Sequence, residues 1–244
     1  EHHTDRSPMS TSGAPGVFIA GTDTGVGKTR VTLGLIRALR AGGVQAEGMK
    51  PVASGMIAHS GLFINEDTHA IAELNGNKCA LGDITPYCFD WAASPHIGAE
   101  RAGIVVDLRT IVTAYARLST GSSLMVVEGT GGWLTPIGEQ GTMADVARVL
   151  GLPVVLVVGL RLGCLNHALL SAQAIEQAGA LLIGWIGSVL DPAMPALAEN
   201  LATLQKRLPA PQLALLPHAA DSGQDSAWLA PAARALGTRA LPLP

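Results

Sequence analysis

Charge is scarce in this sequence: 14% of its 244 residues are Asp, Glu, Lys or Arg, whereas 48% are hydrophobic. That balance argues against a disordered or fibrous chain and allows one large core, or two tightly merged ones. A basic excess is lacking too. The formal net charge of −3 gives no general field for a polyanion, so nucleic-acid binding is not expected and any basic groups that matter must act locally. Cysteine is limited to Cys79, Cys88 and Cys164, without metal-ligand spacing. A disulfide framework or zinc site is therefore not expected, and a reducing, cytoplasmic compartment fits best. Long apolar runs are missing as well: LPVVLVVGL is nine residues long, reads as a buried strand, and falls short of the ~18–20 residues of a membrane helix. The N-terminal EHHTDRSP has no apolar signal-peptide core, and its paired histidines before Met9 read as an expression remnant. Residues 1–8 are set apart on that ground, and residues 9–244 are expected to form one domain without repeats or low-complexity linkers.

What is present is an alternation of two hydrophobic periods. GVFIA (16–20), VQAEGMKPV (44–52), SLMVVE (123–128), PVVLVVG (153–159), ALLIGWIGSVL (180–190) and LALLP (213–217) read as strands. Between them lie amphipathic helical patterns, among them TRVTLGLIRALRA, EDTHAIAEL, VDLRTIVTAYARL, TMADVARVL, LNHALLSAQAIEQAG, AMPALAENLATLQKRL and AWLAPAARAL. Near-continuous Val, Ile and Leu strands predict a doubly wound α/β domain with a mostly parallel sheet covered on both faces. Segment 53–102 has few strand signals and many turn residues, so long functional loops are expected there, and the Pro- and Ala-rich tail after Leu208 is expected to pack loosely. Ligands in such folds sit at the carboxyl ends of the strands, so the residues just after each strand hold the candidates.

The first such place is GTDTGVGKT, residues 21–29. Gly25 and Gly27 let the backbone turn its N–H groups inward, Lys28 supplies a point charge, and the Thr29 hydroxyl suits Mg²⁺. The usual phosphate loop, G-x-x-x-x-G-K-[ST], would put its first glycine at position 22. Thr22 stands there and Gly21 lies one place earlier, so the loop is one residue longer than usual. With a strand before it and a helix after it, the loop predicts a P-loop nucleoside triphosphatase-like fold that binds a nucleoside triphosphate.

Other strand ends admit two readings each. Glu128 closes SLMVVE, where a Mg²⁺-directed carboxylate would sit rather than an ordinary surface acid, and Gly129, Gly131 and Gly132 follow as though a ligand came close to the backbone. Asp67, in INEDTHA, is either a metal ligand or a helix N-cap or first-turn acid. Lys50, in MKPVASG, is a solvated strand-end lysine or a second cation, which like-charge repulsion makes costly unless anions lie between the two. Gly163 and Cys164 open a helix and could offer N–H groups to a carboxylate, though Cys164 is equally a small buried hydrophobe and Asn166 an ordinary first-turn residue. His96, in SPHIGAE, reads as a loop histidine.

Taken together, GTDTGVGKT, MKPVASG, SPHIGAE, VVEGTGGWLTPI, LVVGLRLGCLNHALLSAQAI and GWIGSVLD resemble the dethiobiotin synthetase family over about residues 16–192. That family's phosphate loop carries the extra residue seen here. The resemblance implies an ATP-dependent ring closure: 7,8-diaminopelargonate takes up CO₂ as a carbamate, ATP phosphorylates the carbamate, and the second amine closes a cyclic urea with release of ADP and phosphate. It implies catalytic roles for Lys28, Lys50 and Thr24, and places Ser54, the Gly163 and Cys164 amides and Asn166 on the substrate, with Asn166 reaching across a homodimer. Thr29, Asp67 and Glu128 would gather Mg²⁺. Gly25, Val26, Gly27, Lys28, Thr29 and Arg30, with Gly129 and Gly131, would surround the nucleotide, and Pro217, His218, Ala219 and Gln224 would line its base or ribose. Family members often carry an asparagine that reads the adenine edge where this chain has Ser188. One hydroxyl cannot repeat that two-point contact, so CTP or another triphosphate is also admitted. A partition-type nucleotide switch would usually carry a further lysine early in the loop, and an amidoligase of cobyrinate synthesis would add a glutaminase domain.

Overall fold

The computed structural model describes residues 13–59, 62–139, 141–218 and 224–237. The suspected remnant at residues 1–8 and the expected pocket residue Ala219 lie outside them. Along the chain come β1 (Gly16–Gly21), α1 (Lys28–Ala41), β2 (Ala46–Met49), β3 (Val52–Ser54), β4 (Ile57–His59), β5 (Leu62–Ile64), α2 (Glu66–Leu74), α3 (Leu81–Ile84), β6 (Tyr87–Phe89) and α4 (Pro95–Ala102). They are followed by α5 (Leu108–Leu118), β7 (Leu124–Glu128), α6 (Met143–Val149), β8 (Val154–Leu160), α7 (Cys164–Gln177), β9 (Leu182–Val189), α8 (Leu197–Arg207), β10 (Gln212–Leu216) and α9 (Asp225–Gly237).

Six strands form one parallel sheet in the order β10-β9-β8-β1-β7-β2. Strand periodicity of two assigns alternate side chains to opposite faces. On one face Val17 and Ile19 of β1 join Val126 of β7 and Val155 and Val157 of β8 against Val31, Leu35 and Leu39 of α1 and Leu229 and Leu236 of α9. On the other, Phe18, Met125, Val127, Leu156 and Val158 meet Tyr115 of α5, Val146 of α6, Ala168 and Ile175 of α7 and Leu204 of α8. This is the doubly wound, mostly parallel α/β architecture expected. Because α1 covers one face and α7 the other, the connections leaving the neighbouring strands β1 and β8 diverge, which opens a crevice at their carboxyl ends.

Several local expectations need correction. The run 44–52 is not one strand. Pro51 has no N–H to give a ladder, and the chain breaks at Lys50–Pro51: β2 stays in the main sheet, whereas β3 pairs in parallel with β6 in a separate two-stranded sheet. Segment 53–102 is correspondingly richer than its turn residues suggested, with an antiparallel β4–β5 hairpin, three helices and β6. His96 lies in α4, not in a loop. The helix expected over 193–208 begins only at Leu197, after Pro192 and Pro195 and a left-handed Ala196.

Nor are the described residues of the tail loose. Trp185 N–H donates to Pro211 O, β10 extends the sheet, and Leu229, Ala232 and Leu236 of α9 are buried against α1. Leu229→Ala should therefore destabilise the protein by about 2–4 kcal/mol in urea unfolding, as for a packed core leucine and not for a surface one.

Candidate active site

The phosphate loop turns as its glycines require. Gly25 (φ 73°) and Gly27 (φ 93°) occupy the left-handed region that a side chain would strain, and Gly27 caps the start of α1. Close packing sets the loop on the sheet: a Cβ at Gly159 of β8 would stand 2.8 Å from Val26. Arg161, just beyond β8, reaches across the crevice to Asp23, with Nη2 2.6 Å from Oδ2. Asp23 also accepts from the Thr24 N–H through Oδ1 (2.7 Å) and from Lys28 Nζ through its backbone carbonyl (2.9 Å).

Around this loop two lysines and two carboxylates converge. Lys50 Nζ, at the end of β2, lies 2.5 Å from Asp67 Oδ2 and 2.7 Å from Glu128 Oε1. The Thr29 hydroxyl is 2.9 Å from both Asp67 Oδ1 and Glu128 Oε1, and its one proton can go to only one of them at a time. Glu128 is 1% exposed and Lys50 5%, so this is a buried ion pair rather than a solvated strand end. The parallel register explains the convergence: β1 and β2 flank β7, which carries their carboxyl ends and Glu128 to the same edge.

Burial disfavours the charge on both lysines, yet their net shifts are opposite. For Lys50 desolvation favours the neutral amine, but the Glu128 and Asp67 carboxylates in contact with it prevail and hold its pKa above the ordinary value. Burial likewise opposes ionisation of Asp67, yet the Lys50 charge keeps its carboxyl below the usual range. Among the described residues Lys28 Nζ hydrogen-bonds to a carbonyl and to no carboxylate, so desolvation, aided by the Lys50 charge, outweighs the attraction of Glu128, and its pKa falls from 10.5 to about 8. Because the folded value lies below the unfolded one, burying this lysine costs stability below pH 8, and the cost is relieved as pH rises toward 10.5. The loop also loses its charge over that rise, so affinity for a triphosphate should fall by about tenfold between pH 7 and pH 9 in nucleotide titrations.

Thr29, Asp67 and Glu128 fit Mg²⁺ in their chemistry. They offer a hydroxyl and two carboxylates, hard oxygen donors of the number a phosphate-bound Mg²⁺ takes from protein. Glu128 Oε2 is buried without a hydrogen-bond partner among the described residues, an acceptor with unused capacity beside Thr29. Among the described residues no group of three or more His, Cys, Asp or Glu side chains could hold a metal ion.

The remaining candidates are brought to the same end of the sheet in varying degree. Ser54 ends β3 with a buried hydroxyl that has no hydrogen-bond partner among the described residues. Thr130, which follows Glu128 and Gly129, donates to Val52 O and ties that loop to β3, while Gly131 takes a left-handed turn. Gly163 (φ 97°) caps α7, with Cys164 buried and Asn166 exposed on its first turn. Ser188 is 1% exposed within β9, and its unpartnered hydroxyl would lie 3.0 Å from a Cβ at Gly27, so it faces the underside of the phosphate loop. Arg30 forms a fork: Nε and Nη2 donate to both oxygens of the buried Asp225 at 3.0 and 2.7 Å, and Nη1 donates to Pro217 O. That fork fastens α1 to the start of α9, next to Gln224, and to the end of β10, next to His218, whose Nδ1 lies 3.3 Å from Val189 O.

Asn65, Asp225, Asp23 and Arg161 were missed by sequence reasoning. Asn65 had a legible signal, as a capping residue just before EDTHAIAEL; it is the N-cap of α2, and Asp67 is a first-turn acid, one of the two readings open to it besides metal ligation. The two ion pairs span 195 and 138 residues, and no local pattern announces them.

A family model described as an AAA domain matches residues 15–226. The chain is 43% identical over 220 residues to the ATP-dependent dethiobiotin synthetase BioD of Aromatoleum aromaticum, covering 90% of this chain and 97% of that protein. It is 44% identical over 210 residues to the protein of the same name from Pseudomonas paraeruginosa, covering 86% and 92%. In three dimensions it resembles the MinD cell division protein of Aquifex aeolicus in its complex with MinC, with a TM-score of 0.56 at 14% identity over 95% of this chain and 99% of that one. The septum site-determining protein MinD of Pyrococcus horikoshii, solved with Mg-ADP, superposes with a TM-score of 0.56 at 14% identity, covering 92% and 96%. At that identity the likeness concerns the fold alone. The sequence matches decide the family, and this chain belongs to the ATP-dependent dethiobiotin synthetases.

Proposed function

We propose that this protein is itself an ATP- and Mg²⁺-dependent dethiobiotin synthetase, a single domain over residues 9–244 that acts as a homodimer in the cytoplasm. It joins 7,8-diaminopelargonate to CO₂ and closes the product into a cyclic urea. The observation that carries this reading is the second buried lysine: nucleotide binding alone needs Lys28, whereas Lys50 is a further cation held by two carboxylates at the edge of the phosphate loop.

The chemistry moves negative charge at each step. One amine of the diamine adds to CO₂ and loses a proton, leaving a carbamate. A carbamate oxygen attacks the γ-phosphorus of ATP, expelling ADP and forming a carbamic-phosphoric anhydride. The second amine then attacks the carbonyl carbon, and phosphate departs as the ring closes. Such steps are catalysed mainly by positioning and charge stabilisation. Lys28, released from the Asp23 carbonyl, would bridge the transferring phosphoryl group and the carbamate, and Lys50 would hold the carbamate. The N–H groups of residues 25–29 would cradle the phosphates, with Thr24 and Ser54 orienting the diamine. Mg²⁺, held by Thr29, Asp67 and Glu128, would neutralise phosphate charge. The Gly163 and Cys164 amides and Asn166 would receive the substrate carboxylate, Asn166 from the partner subunit. Gly129, Gly131, Ser188, Pro217, His218, Ala219 and Gln224 would complete the nucleotide's surroundings.

Phosphate release from ATP with Mg²⁺ and bicarbonate should rise at least tenfold on adding the diamine, since effective positioning of bound reactants supplies such factors and more. The same assay with CTP and GTP should show a weaker preference for ATP than an asparagine at position 188 would give, because the Ser188 hydroxyl can make at most one donor contact. Phosphate release indifferent to the diamine with all three triphosphates would reject the ligase reading.

A further inference from the structure

We propose that Asn65 is a positioning residue that sets the metal half and the diamine half of the site in one frame, an inference that rests on the roles given above to Asp67 and Ser54. Its carboxamide is 8% exposed as a residue and uses both ends. Oδ1 accepts from the N–H groups of Asp67 (3.1 Å) and Thr68 (3.2 Å), which starts α2 and fixes the backbone from which the Asp67 carboxylate reaches Thr29 and Lys50. Nδ2 donates to the carbonyls of Ser54 (3.2 Å) and Gly55 (2.9 Å), the turn that ends β3. Gly55 is left-handed (φ 86°), a conformation that lets two successive carbonyls converge on one amide group. One side chain thus pins both feet of the β4–β5 hairpin, and the two feet carry Ser54 and Asp67.

No other short side chain repeats this. Aspartate keeps the cap acceptor but has no N–H for the two carbonyls, and serine caps well but is too short to reach them. The Asn65→Ser and Asn65→Ala substitutions therefore separate the two ends. Mn²⁺ binding to the ADP-loaded protein, followed by electron paramagnetic resonance, reads the metal half without turnover. The KM for 7,8-diaminopelargonate in the phosphate-release assay reads the other half.

For Asn65→Ala the Mn²⁺ dissociation constant should rise about tenfold, the usual loss for a residue that orients a metal ligand, and KM should rise as well. For Asn65→Ser, which keeps the helix cap and with it the fold, Mn²⁺ affinity should stay within about twofold while KM rises about fivefold, the worth of one ordinary hydrogen bond. A wild-type KM in Asn65→Ser, or wild-type Mn²⁺ affinity in Asn65→Ala, would overturn the inference. The wild-type protein tests the underlying reading separately: absence of diamine-stimulated phosphate release there would reject the ligase function, while the Mn²⁺ titrations would still decide the metal half.

Discussion

Lys50→Gln is expected to lower ring closure by about 10²-fold or more while leaving ATP affinity within about threefold of wild type, because in the proposed mechanism the lost charge acts on the developing carbamate and not on the bound nucleotide. The nucleotide keeps its loop amides and Lys28. Lys28 even gains: the Lys50 charge is one of the causes that depress its pKa, so removing that charge strengthens the remaining cation. Stability falls as well. Glu128, 1% exposed, would lose its contacting cation, and breaking a buried pair from one side typically costs about 3–5 kcal/mol. In a protein of this size that is about 10 °C in Tm, so rates are to be compared well below the variant's melting point. Near wild-type turnover in a folded variant would remove Lys50 from the reaction. A parallel loss of ATP affinity and turnover would reassign it to the nucleotide phosphates.

Glu128→Gln is expected to raise the Mg²⁺ concentration for half-maximal activity by about 10- to 100-fold, with much of the rate recovered at saturating metal. The amide preserves the shape and still accepts from Lys50, so the fold is expected to survive. What disappears is the anionic oxygen pair beside the Thr29 hydroxyl, including the Oε2 atom that finds no hydrogen-bond partner among the described residues. Lys50 would keep Asp67 as its single carboxylate, and since Glu128 opposes the burial penalty on Lys50, the lysine's pKa should drop. Glu128 also holds up the Lys28 pKa, so as pH rises the variant should lose activity at a lower pH than wild type. An unchanged metal titration would take Glu128 out of the Mg²⁺ site.

Much of the candidate site was legible because its residues follow strands whose apolar runs are easy to see. Lys28 and Thr29 after β1, Glu128 at the end of β7 and Cys164 after β8 needed only the strand ends and the rule that ligands gather there. Lys50 was ambiguous for a physical reason. A lysine at a strand end is solvated unless something buries it, and the groups that bury it, Asp67 and Glu128, stand 17 and 78 residues away. The segment around β3 to β6 was misjudged because its strands are three residues long, too short for a period of two to emerge. The tail was misjudged because proline and alanine suggested loose packing, whereas alanines are what let α9 lie close against α1.

By itself, then, the sequence determined the α/β class, the phosphate loop and its extra residue, and the likeness to one family, since each is written in local spacing of apolar, glycine and charged residues. Only the tertiary structure decided that Lys50 is a buried, doubly paired cation, that Lys28 is depressed while Lys50 is raised, that Arg30 serves Asp225, and that Asn65 joins Ser54 to Asp67. These are contacts between residues distant in the chain. Their energies depend on burial and on which charges end up within about 3 Å of each other, quantities that exist only once the strands have been laid side by side.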